Sequence, residues 1–436
     1  MHNNFKKLTL AAAVAAVTFA SQANAGGYQI NEQSVSGQGY GHAGRSSNVN
    51  DATIVFGNPA GMSFLDRAQM TVGGTYLHVN TDIKNAEASR YPTAFGPAAA
   101  QEITGTADGD IVSGTLVPFA FYAHPVNERL AFGFGVYAPF GSKTDYEDSF
   151  VGRNLGNYTE VTVMTAQPTV SYRFNDQWSV GAGITYNRVD GELHRQVPTG
   201  YPLSPTAPDI DARIEGDDDA WGYNLGVIFQ PVPETTLGLT YRSKVDYTLT
   251  GDFRVYTQQG AEVASMRSDA ELDLTTPETI NFSVTQQMTD RLKLMAGASW
   301  VRWSRFDQIL VTDPSGNEIT NEPQNYSNAW AYALGGEYQL NPQLALRAGI
   351  TLDFTPTSDE FRSARIPSDD RRIFSIGAGW TPTDDLTLDF AYSYLTERST
   401  HVDQSRTDGG GALTSTYTAD YKNEAHGFGA QLTYRF

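Results

Sequence analysis

The last ten residues, Gly427-Phe-Gly-Ala-Gln-Leu-Thr-Tyr-Arg-Phe436, alternate between two kinds of side chain. Successive side chains of an extended strand point to opposite faces. One face carries apolar residues: Phe428, Ala430, Leu432, Tyr434 and Phe436. The other face carries small or polar residues: Gly427, Gly429, Gln431, Thr433 and Arg435. Strands of an outer-membrane barrel have this pattern, with the apolar face toward lipid. A soluble sandwich would instead bury that face against a second sheet.

The same alternation returns in several other segments, at residues 178–186, 292–300, 344–350 and 386–394. Short turns rich in Asn, Asp or Pro lie at residues 126–128, 175–176, 231–233, 289–290, 341–342 and 383–385. With both chain ends on the turn side, these turns predict fourteen antiparallel strands and seven long outer loops. The predicted strand centres are Gly74, Phe119, Phe134, Pro168, Ile184, Leu225, Leu239, Val284, Ala296, Ala333, Ala348, Ile376, Phe390 and Ala430. The long loops are predicted near residues 81–113, 138–157, 190–219, 249–268, 304–325, 355–369 and 397–419.

The composition excludes several classes of protein. The 436 residues include 0 Cys, which excludes a disulfide framework and thiolate metal sites. The formal net charge of −19 argues against nucleic acid as a partner, because such binders carry a basic surface. The 7 His lack metalloprotease-type spacing, and no glycine motif opens a nucleotide-binding helix. The sequence therefore predicts no enzyme, no metal and no cofactor.

Residues 1–25 have the features of a secretory signal. Lys6 and Lys7 precede an apolar run over residues 8–20, and Ala23-Asn24-Ala25 forms a small-x-small cleavage site. No later apolar run reaches the roughly 18 residues that a spanning helix needs. If the exported chain crosses a membrane, it does so as a closed barrel, because only helices and barrels satisfy their backbone there.

Residues 26–65 differ from the rest of the chain. They are mostly small and polar, and neither helical nor strand periodicity persists in them. Such a segment cannot bury enough apolar surface to fold alone. We therefore predict that it is a hatch held inside the barrel. The predicted organisation is a signal peptide at 1–25, a hatch at 26–65 and a transmembrane barrel at 66–436.

Two stretches also resemble a known family. Gly26-Gly-Tyr-Gln-Ile-Asn-Glu-Gln-Ser34 and Asn58-Pro-Ala-Gly-Met62 are similar to the hatch of the FadL-like outer-membrane transporters, which include OmpP1- and TodX-type members. The resemblance continues to Phe436. It implies an all-β fold, a fourteen-stranded antiparallel barrel plugged by its N-terminus, in the outer membrane of a Gram-negative bacterium. It further implies passive uptake of long-chain fatty acids or similar hydrophobic molecules through a lumen pocket and a lateral opening in the wall.

The resemblance also implies partners. They are the hydrophobic ligand, the lipid and lipopolysaccharide of the outer membrane, and the barrel assembly machinery, whose recognition signal the terminal Phe436 resembles. The protein is expected to be a monomer.

Site residues are carried over position by position. Tyr28 matches the family's aromatic residue in the pocket, and Arg195 aligns with an arginine that contacts the ligand headgroup. An arginine fork suits a carboxylate. Hatch gating is assigned to Asn58, Pro59 and Ala60, and the lateral opening to Pro139, Phe140 and Gly141 at the end of the third strand. For each assignment the alternative is a purely structural role.

One position departs from the family. A lysine is expected after the ninth strand, but the alignment places Glu322 there. This makes a fatty-acid headgroup site doubtful and leaves uptake of neutral aromatic hydrocarbons as an alternative. A general porin also stays open, although a plugged lumen conducts poorly. In the fourth strand the apolar residues change parity between Val163 and Pro168, which predicts a β-bulge there.

Overall fold

The computed structural model describes residues 27–107, 111–112, 114–199, 209–408 and 410–436. The predicted signal segment lies outside these ranges. The described strands belong to one sheet of twenty strands. Within the described ranges, no helix is long and apolar enough to cross a membrane.

Fourteen of the strands close into an antiparallel barrel. Each pairs with the next barrel strand along the chain, and the last pairs with the first from Gln69↔Arg435 to Pro92↔Leu413. The barrel strands are β1 (Gln69–Pro92), β3 (Thr115–Pro125), β4 (Leu130–Asp145), β5 (Tyr158–Arg173), β6 (Trp178–Val197), β7 (Ile210–Val232), β8 (Thr235–Arg242), β11 (Thr279–Gln287), β12 (Leu292–Val301), β15 (Ala329–Asn341), β16 (Leu344–Asp353), β17 (Arg371–Thr383), β18 (Leu386–Glu397) and β20 (Leu413–Arg435). Each predicted strand centre lies in the corresponding barrel strand, so the predicted fold class is confirmed.

The remaining strands extend the sheet on the side of the long connections, and they are here called the outer extension. They are β2 (Gln101–Glu102), β9 (Val245–Tyr256), β10 (Ser268–Thr276), β13 (Gln308–Thr312), β14 (Glu318–Pro323) and β19 (Thr400–Asp408). Strand β9 pairs with the outer part of β7, β10 with β9, and β13 with β10. Short 3-10 turns lie at Thr93–Phe95, Pro97–Ala99, Ala264–Met266 and Trp303–Arg305.

The prediction of long irregular loops was therefore wrong in several places. For example, β1 continues to Pro92 although residues 81–113 are predicted as loop. The outward side chains of these extensions are polar, which gives them the composition of loops. Their inward side chains are apolar where they enclose a cavity, and this burial holds the ladders together.

The two faces of the barrel follow the alternation. Large apolar side chains point outward and are exposed, among them Ile376 at 59% and Phe428 at 54%. Inward positions such as Thr433 and Gln431 are buried. The outward band is the surface that an outer-membrane barrel presents to lipid.

Residues 27–65 lie within the lumen and are mostly buried. They form two short helices, Val35–Gly39 and Ile54–Gly57, and a 3-10 helix, Pro59–Phe64. The barrel strands carry glycine where this hatch approaches them most closely. A Cβ on Gly238 would lie 1.8 Å from the carbonyl oxygen of Ser46, and one on Gly226 would lie 2.0 Å from Asn58 Oδ1. Glycine lets the hatch backbone pack on the strand at Gly238, and it leaves room for the Asn58 and Pro59 side chains at Gly226.

A buried polar network joins the hatch to the barrel wall. Arg347 donates from Nε to Glu337 Oε2 (2.7 Å) and from Nη1 to Asp389 Oδ1 (2.5 Å). Gln431 Nε2 then donates to Asp389 Oδ2 (3.1 Å) and to Asp51 Oδ2 of the hatch (2.9 Å). Charged and amide groups thereby fasten the middle of the hatch to one side of the lumen.

Candidate ligand pocket and opening in the barrel wall

Strand β4 is kinked at Pro139. It pairs with β5 up to Tyr137↔Thr165 and resumes at Phe140↔Val163, so β4 carries one extra residue. Proline has no N–H to give to a ladder and is tolerated at such bulges. Strand β4 nevertheless continues to Asp145. The prediction that Pro139 and Gly141 end the strand was therefore wrong, because the bulge absorbs the proline.

The β-bulge predicted in the fourth barrel strand, which is β5, is also wrong. Strand β5 pairs with β6 in a single register from Tyr158 to Arg173. Its inward positions include Val163, Thr165 and Gln167 throughout. The parity change arises because the lumen itself becomes apolar at the level of Val163. Val163 can therefore face inward without the change of pairing register that a β-bulge would cause.

The backbone pairing of the wall is interrupted beside this bulge, and this interruption is here called the wall gap. In the described chain, the ladder between β3 and β4 stops at Phe119↔Tyr137. In the described residues, this ladder therefore does not include Leu116–Pro118 of β3 or Ala138–Asp145 of β4. The residues that the resemblance assigns to a lateral opening, Pro139, Phe140 and Gly141, lie on the edge of this gap.

Residues 28–30, here called the hatch strand, cover that edge. The Ile30 amide donates to the Pro139 carbonyl (2.9 Å), and the Gly141 amide donates to the Tyr28 carbonyl (2.7 Å). Gln29 and Phe140 form an antiparallel bridge. The Ile30 side chain packs in a small apolar cluster whose other members are Leu77, Val117 and Ala138. The hatch strand thus supplies the pairing that β3 does not give to β4.

An apolar cavity lies on the lumen side of the hatch strand. Its empty volume is about 710 Å³, including its open side. Apolar side chains from the hatch, the barrel strands and the outer extension line it: Tyr28, Val161, Leu193, Ile214, Leu249, Ala270, Leu272, Leu274, Phe306, Ile309, Val311 and Ile366. A concave site with a mostly apolar lining is the usual form of a small-molecule pocket.

Aromatic rings close the cavity next to the kink. The ring of Tyr28 lies 4.7 Å from that of Trp303, 5.3 Å from Phe306 and 5.8 Å from Phe140, centroid to centroid. Tyr326 packs on Phe306 at 5.0 Å. These rings bring together the hatch, β4 and the segment after β12. Sequence reasoning missed Trp303, Phe306 and Tyr326. One aromatic residue inside the loop predicted at 304–325 and one at each of its two ends were the available signal.

A charged cluster involves Arg195. Arg195 pairs with Asp408 (3.1 Å), and Arg406 bridges Asp408 and Glu322, each at 3.1 Å. Arg365 also pairs with Glu322 (2.8 Å). The cluster therefore holds three guanidinium groups and two carboxylates. Burial raises the pKa of Glu322, but Arg365 and Arg406 oppose this and hold that pKa below its ordinary value. Glu322 is thus an ionised counter-ion.

The charged cluster borders the apolar cavity. Leu193 lines the cavity, and Arg195, two residues later on β6, faces the same side. Arg365 donates to Thr159 Oγ1 (2.9 Å), and Thr159 also lines the cavity.

In the described ranges, no group of three or more His, Asp or Glu residues is arranged to hold a metal ion.

The residues assigned to hatch gating lie elsewhere. Asn58 Nδ2 donates to the Ser46 carbonyl (2.8 Å) and to the Val227 carbonyl of β7 (3.0 Å). The Ala60 carbonyl accepts from Ser171 of β5 (3.0 Å) and Ser179 of β6 (2.8 Å). The Asn58-Pro59-Ala60 turn is thus fastened to β5–β7.

The turn is also distant from the kink. Met62, in the same 3-10 helix, lies against Gly133 of β4. Gly133 precedes Pro139 by six residues, which is about 20 Å along a strand. The structure does not bring residues 58–60 together with residues 139–141.

The chain is similar to known proteins over nearly its whole length. Residues 16–436 match a family model described as "Outer membrane protein transport protein (OMPP1/FadL/TodX)". The "Outer membrane protein P1" of Haemophilus influenzae is 31% identical over 97% of this chain and 98% of its own length. The "Long-chain fatty acid transport protein" of Escherichia coli K12 is 26% identical over 99% of each chain.

Solved structures agree with the fold. A Pseudomonas aeruginosa FadL homologue superposes with a TM-score of 0.85 at 26% identity, covering 94% of this chain and 99% of that one. The Pseudomonas putida toluene transporter TodX shares the fold with a TM-score of 0.62 at 16% identity, over 92% of this chain and 99% of that one.

Proposed function

This chain belongs to the outer membrane transport protein family OMPP1/FadL/TodX, and we propose that it takes up long-chain fatty acids or similar hydrophobic molecules. The observation that carries this proposal is the placement of one apolar cavity beside a gap in the barrel wall. The three residues of the hatch strand separate the two. Cargo would bind in the cavity and leave sideways when the hatch strand moves.

Lateral exit follows from the chemistry of the cargo. Burial of apolar surface releases about 25 cal/mol per Å², so a hydrophobic molecule binds the cavity without an energy source. It gains nothing by entering the aqueous periplasm. A gap between β3 and β4 would release it directly into lipid.

We infer that only the first part of the hatch moves. The Asn58-Pro59-Ala60 turn and the Arg347 network fasten the later part to the wall. The hatch strand, in contrast, is joined to β4 by two backbone hydrogen bonds. The turn at residues 58–60 would then contribute to gating by holding the later part of the hatch in place while the hatch strand moves.

Filling the cavity tests the proposed function. Ala270→Trp places an indole among the lining residues and should lower affinity for a long-chain fatty acid by about tenfold or more. Displacing two methylenes from an apolar site costs about 1.6 kcal/mol, which corresponds to that factor. Equilibrium binding to the refolded protein, and growth on the fatty acid in a strain lacking its own transporter, are the measurements.

The matched control is Ala296→Trp, an exposed alanine on the lipid-facing side of β12, which should bind and support growth normally. Unchanged binding in Ala270→Trp would place the cargo elsewhere and contradict the proposal.

We propose that a fatty acid carboxylate lies at the charged cluster. Its excess of one guanidinium favours an anion, and charge-assisted hydrogen bonds contribute about 1.5–3 kcal/mol. Arg195→Ala should therefore weaken fatty acid binding by roughly 10- to 150-fold and leave a neutral hydrocarbon unaffected. Arg188→Ala is the control, because Arg188 lies on the same strand but is exposed and pairs with Asp190 and Asp217.

The second candidate function is uptake of neutral aromatic hydrocarbons. Glu322 favours it, since this residue neutralises part of the arginine cluster where the family resemblance expects a lysine. If toluene binds, the fatty acid does not, and Arg195→Ala has no effect, the hydrocarbon is the cargo.

We propose a monomer that works within the lipid and lipopolysaccharide of the outer membrane and that the barrel assembly machinery inserts. The family role is transport, and we propose no catalytic activity.

A further inference from the structure

Two buried hydroxyl groups line the apolar cavity. Tyr28 is 2% exposed and Ser142 is 1% exposed, and both belong to the lining. Neither hydroxyl has a hydrogen-bond partner among the described residues. Buried polar groups in native proteins are nearly always hydrogen-bonded, so each exception requires an explanation.

The two residues lie at the same end of the cavity. The Tyr28 carbonyl accepts from the Gly141 amide (2.7 Å), and Ser142 is the next residue of β4. One hydroxyl therefore comes from the hatch strand and the other from the kinked strand that it covers. Burial raises the pKa of Tyr28, and the nearby hydroxyls of Tyr326 and Tyr247 add to this rise. The phenol is thus protonated and available as a donor.

We infer that the Tyr28 and Ser142 hydroxyls bind an uncharged oxygen, a hydroxyl or a carbonyl, on an otherwise apolar ligand. This inference rests on the proposed function, since it takes the cavity as the transport site. An ionised carboxylate is a poor match here, because burying a charge without a cation is very unfavourable. The arginines that suit a carboxylate are in the separate cluster around Arg195. Oxygenated hydrophobic molecules would therefore be preferred over plain hydrocarbons.

The test compares two probes of equal chain length, 1-decanol and n-decane, as radiolabelled compounds binding to the folded protein in amphipol. The wild type should bind 1-decanol more tightly. Tyr28→Phe and Ser142→Ala should each lower 1-decanol affinity by about fivefold to tenfold, the effect of one net hydrogen bond. The affinity for n-decane should stay unchanged, so the ratio of the two dissociation constants is the readout.

Ser415→Ala is the matched control. Its hydroxyl is also buried without a partner among the described residues, but Ser415 lies on β20 and does not line the cavity. The ratio should not change in this variant. The mobility of unheated barrels in gel electrophoresis checks that every variant is folded.

The outcomes separate this inference from the proposed function. If both probes bind and neither Tyr28→Phe nor Ser142→Ala changes the ratio, the inference is overturned and the cavity remains the transport site. If neither probe binds the wild type, the inference and the proposed function both fall. A loss confined to 1-decanol supports the assignment.

Discussion

Oxidation of the double variant Gln29→Cys/Phe140→Cys should block uptake while ligand binding persists. Gln29 and Phe140 form an antiparallel bridge between the hatch strand and β4. Opposed residues of antiparallel strands have Cα atoms about 4.5–5.5 Å apart, which lies within the range of disulfides. The chain has 0 Cys, so these cysteines have no competing partner. The bond would hold the hatch strand over the wall gap.

Uptake by the oxidised protein should fall by about tenfold or more below that of the same protein after reduction, a barrier increase of about 1.4 kcal/mol per factor of ten. The reduced double variant is the baseline, because losing the Phe140 ring beside Tyr28 affects binding by itself. The two single variants should ignore oxidants. Undiminished uptake by fully oxidised protein would mean that cargo leaves without movement of the hatch strand.

Arg347→Met should destabilise the barrel by about 3–5 kcal/mol, the effect of removing one partner from a buried ion pair. Arg347 is 4% exposed in its side chain and lies between Glu337 and Asp389. Methionine fills similar volume but leaves the Asp389 carboxylate without a cation, whereas Glu337 keeps its ion pair with Lys293 (3.1 Å). Urea-induced unfolding in lipid vesicles measures the change. Arg188→Met, on the exposed side of β6, should change stability by about 0–1 kcal/mol.

A compensated variant separates charge from packing. If charge is the cause, adding Asp389→Asn to Arg347→Met should restore much of the lost stability, because Glu337 still pairs with Lys293 and no unpaired carboxylate remains buried. If the double variant is as unstable as Arg347→Met, the loss comes from packing instead.

The barrel could be predicted because lipid imposes one rule on every spanning strand. An outward side chain must be apolar wherever the strand crosses the hydrocarbon, so alternation in strands such as the one ending at Phe436 is visible without tertiary information. The outer extension obeys no such rule. Strand β9 has polar outward residues and resembles a loop in composition, although Val245, Tyr247 and Leu249 are buried inside it.

The site was less accessible to sequence reasoning. Tyr28 and Phe140 came from family resemblance, and alternation alone would not have selected them. The pairing of Arg195 with Asp408 joins residues 213 positions apart, and no local pattern indicates it. The misplaced bulge has a similar cause. Val163 faces inward because the lumen is apolar at that height. The prediction assumed that every side chain facing the lumen is polar, and this assumption fails at Val163.

The backbone pairing of the hatch strand would make the proposed wall opening close again by itself. When residues 28–30 leave, the Pro139 carbonyl and the Gly141 amide lose their partners in surroundings with little water. Two unsatisfied groups cost about 2–6 kcal/mol together, and about 4 kcal/mol already limits the open form to roughly one molecule in a thousand. Re-pairing recovers this energy after each passage. Other solutes would therefore pass through the barrel only rarely between two ligand molecules. The outer membrane would keep its permeability barrier, and closing the wall opening would need no energy source.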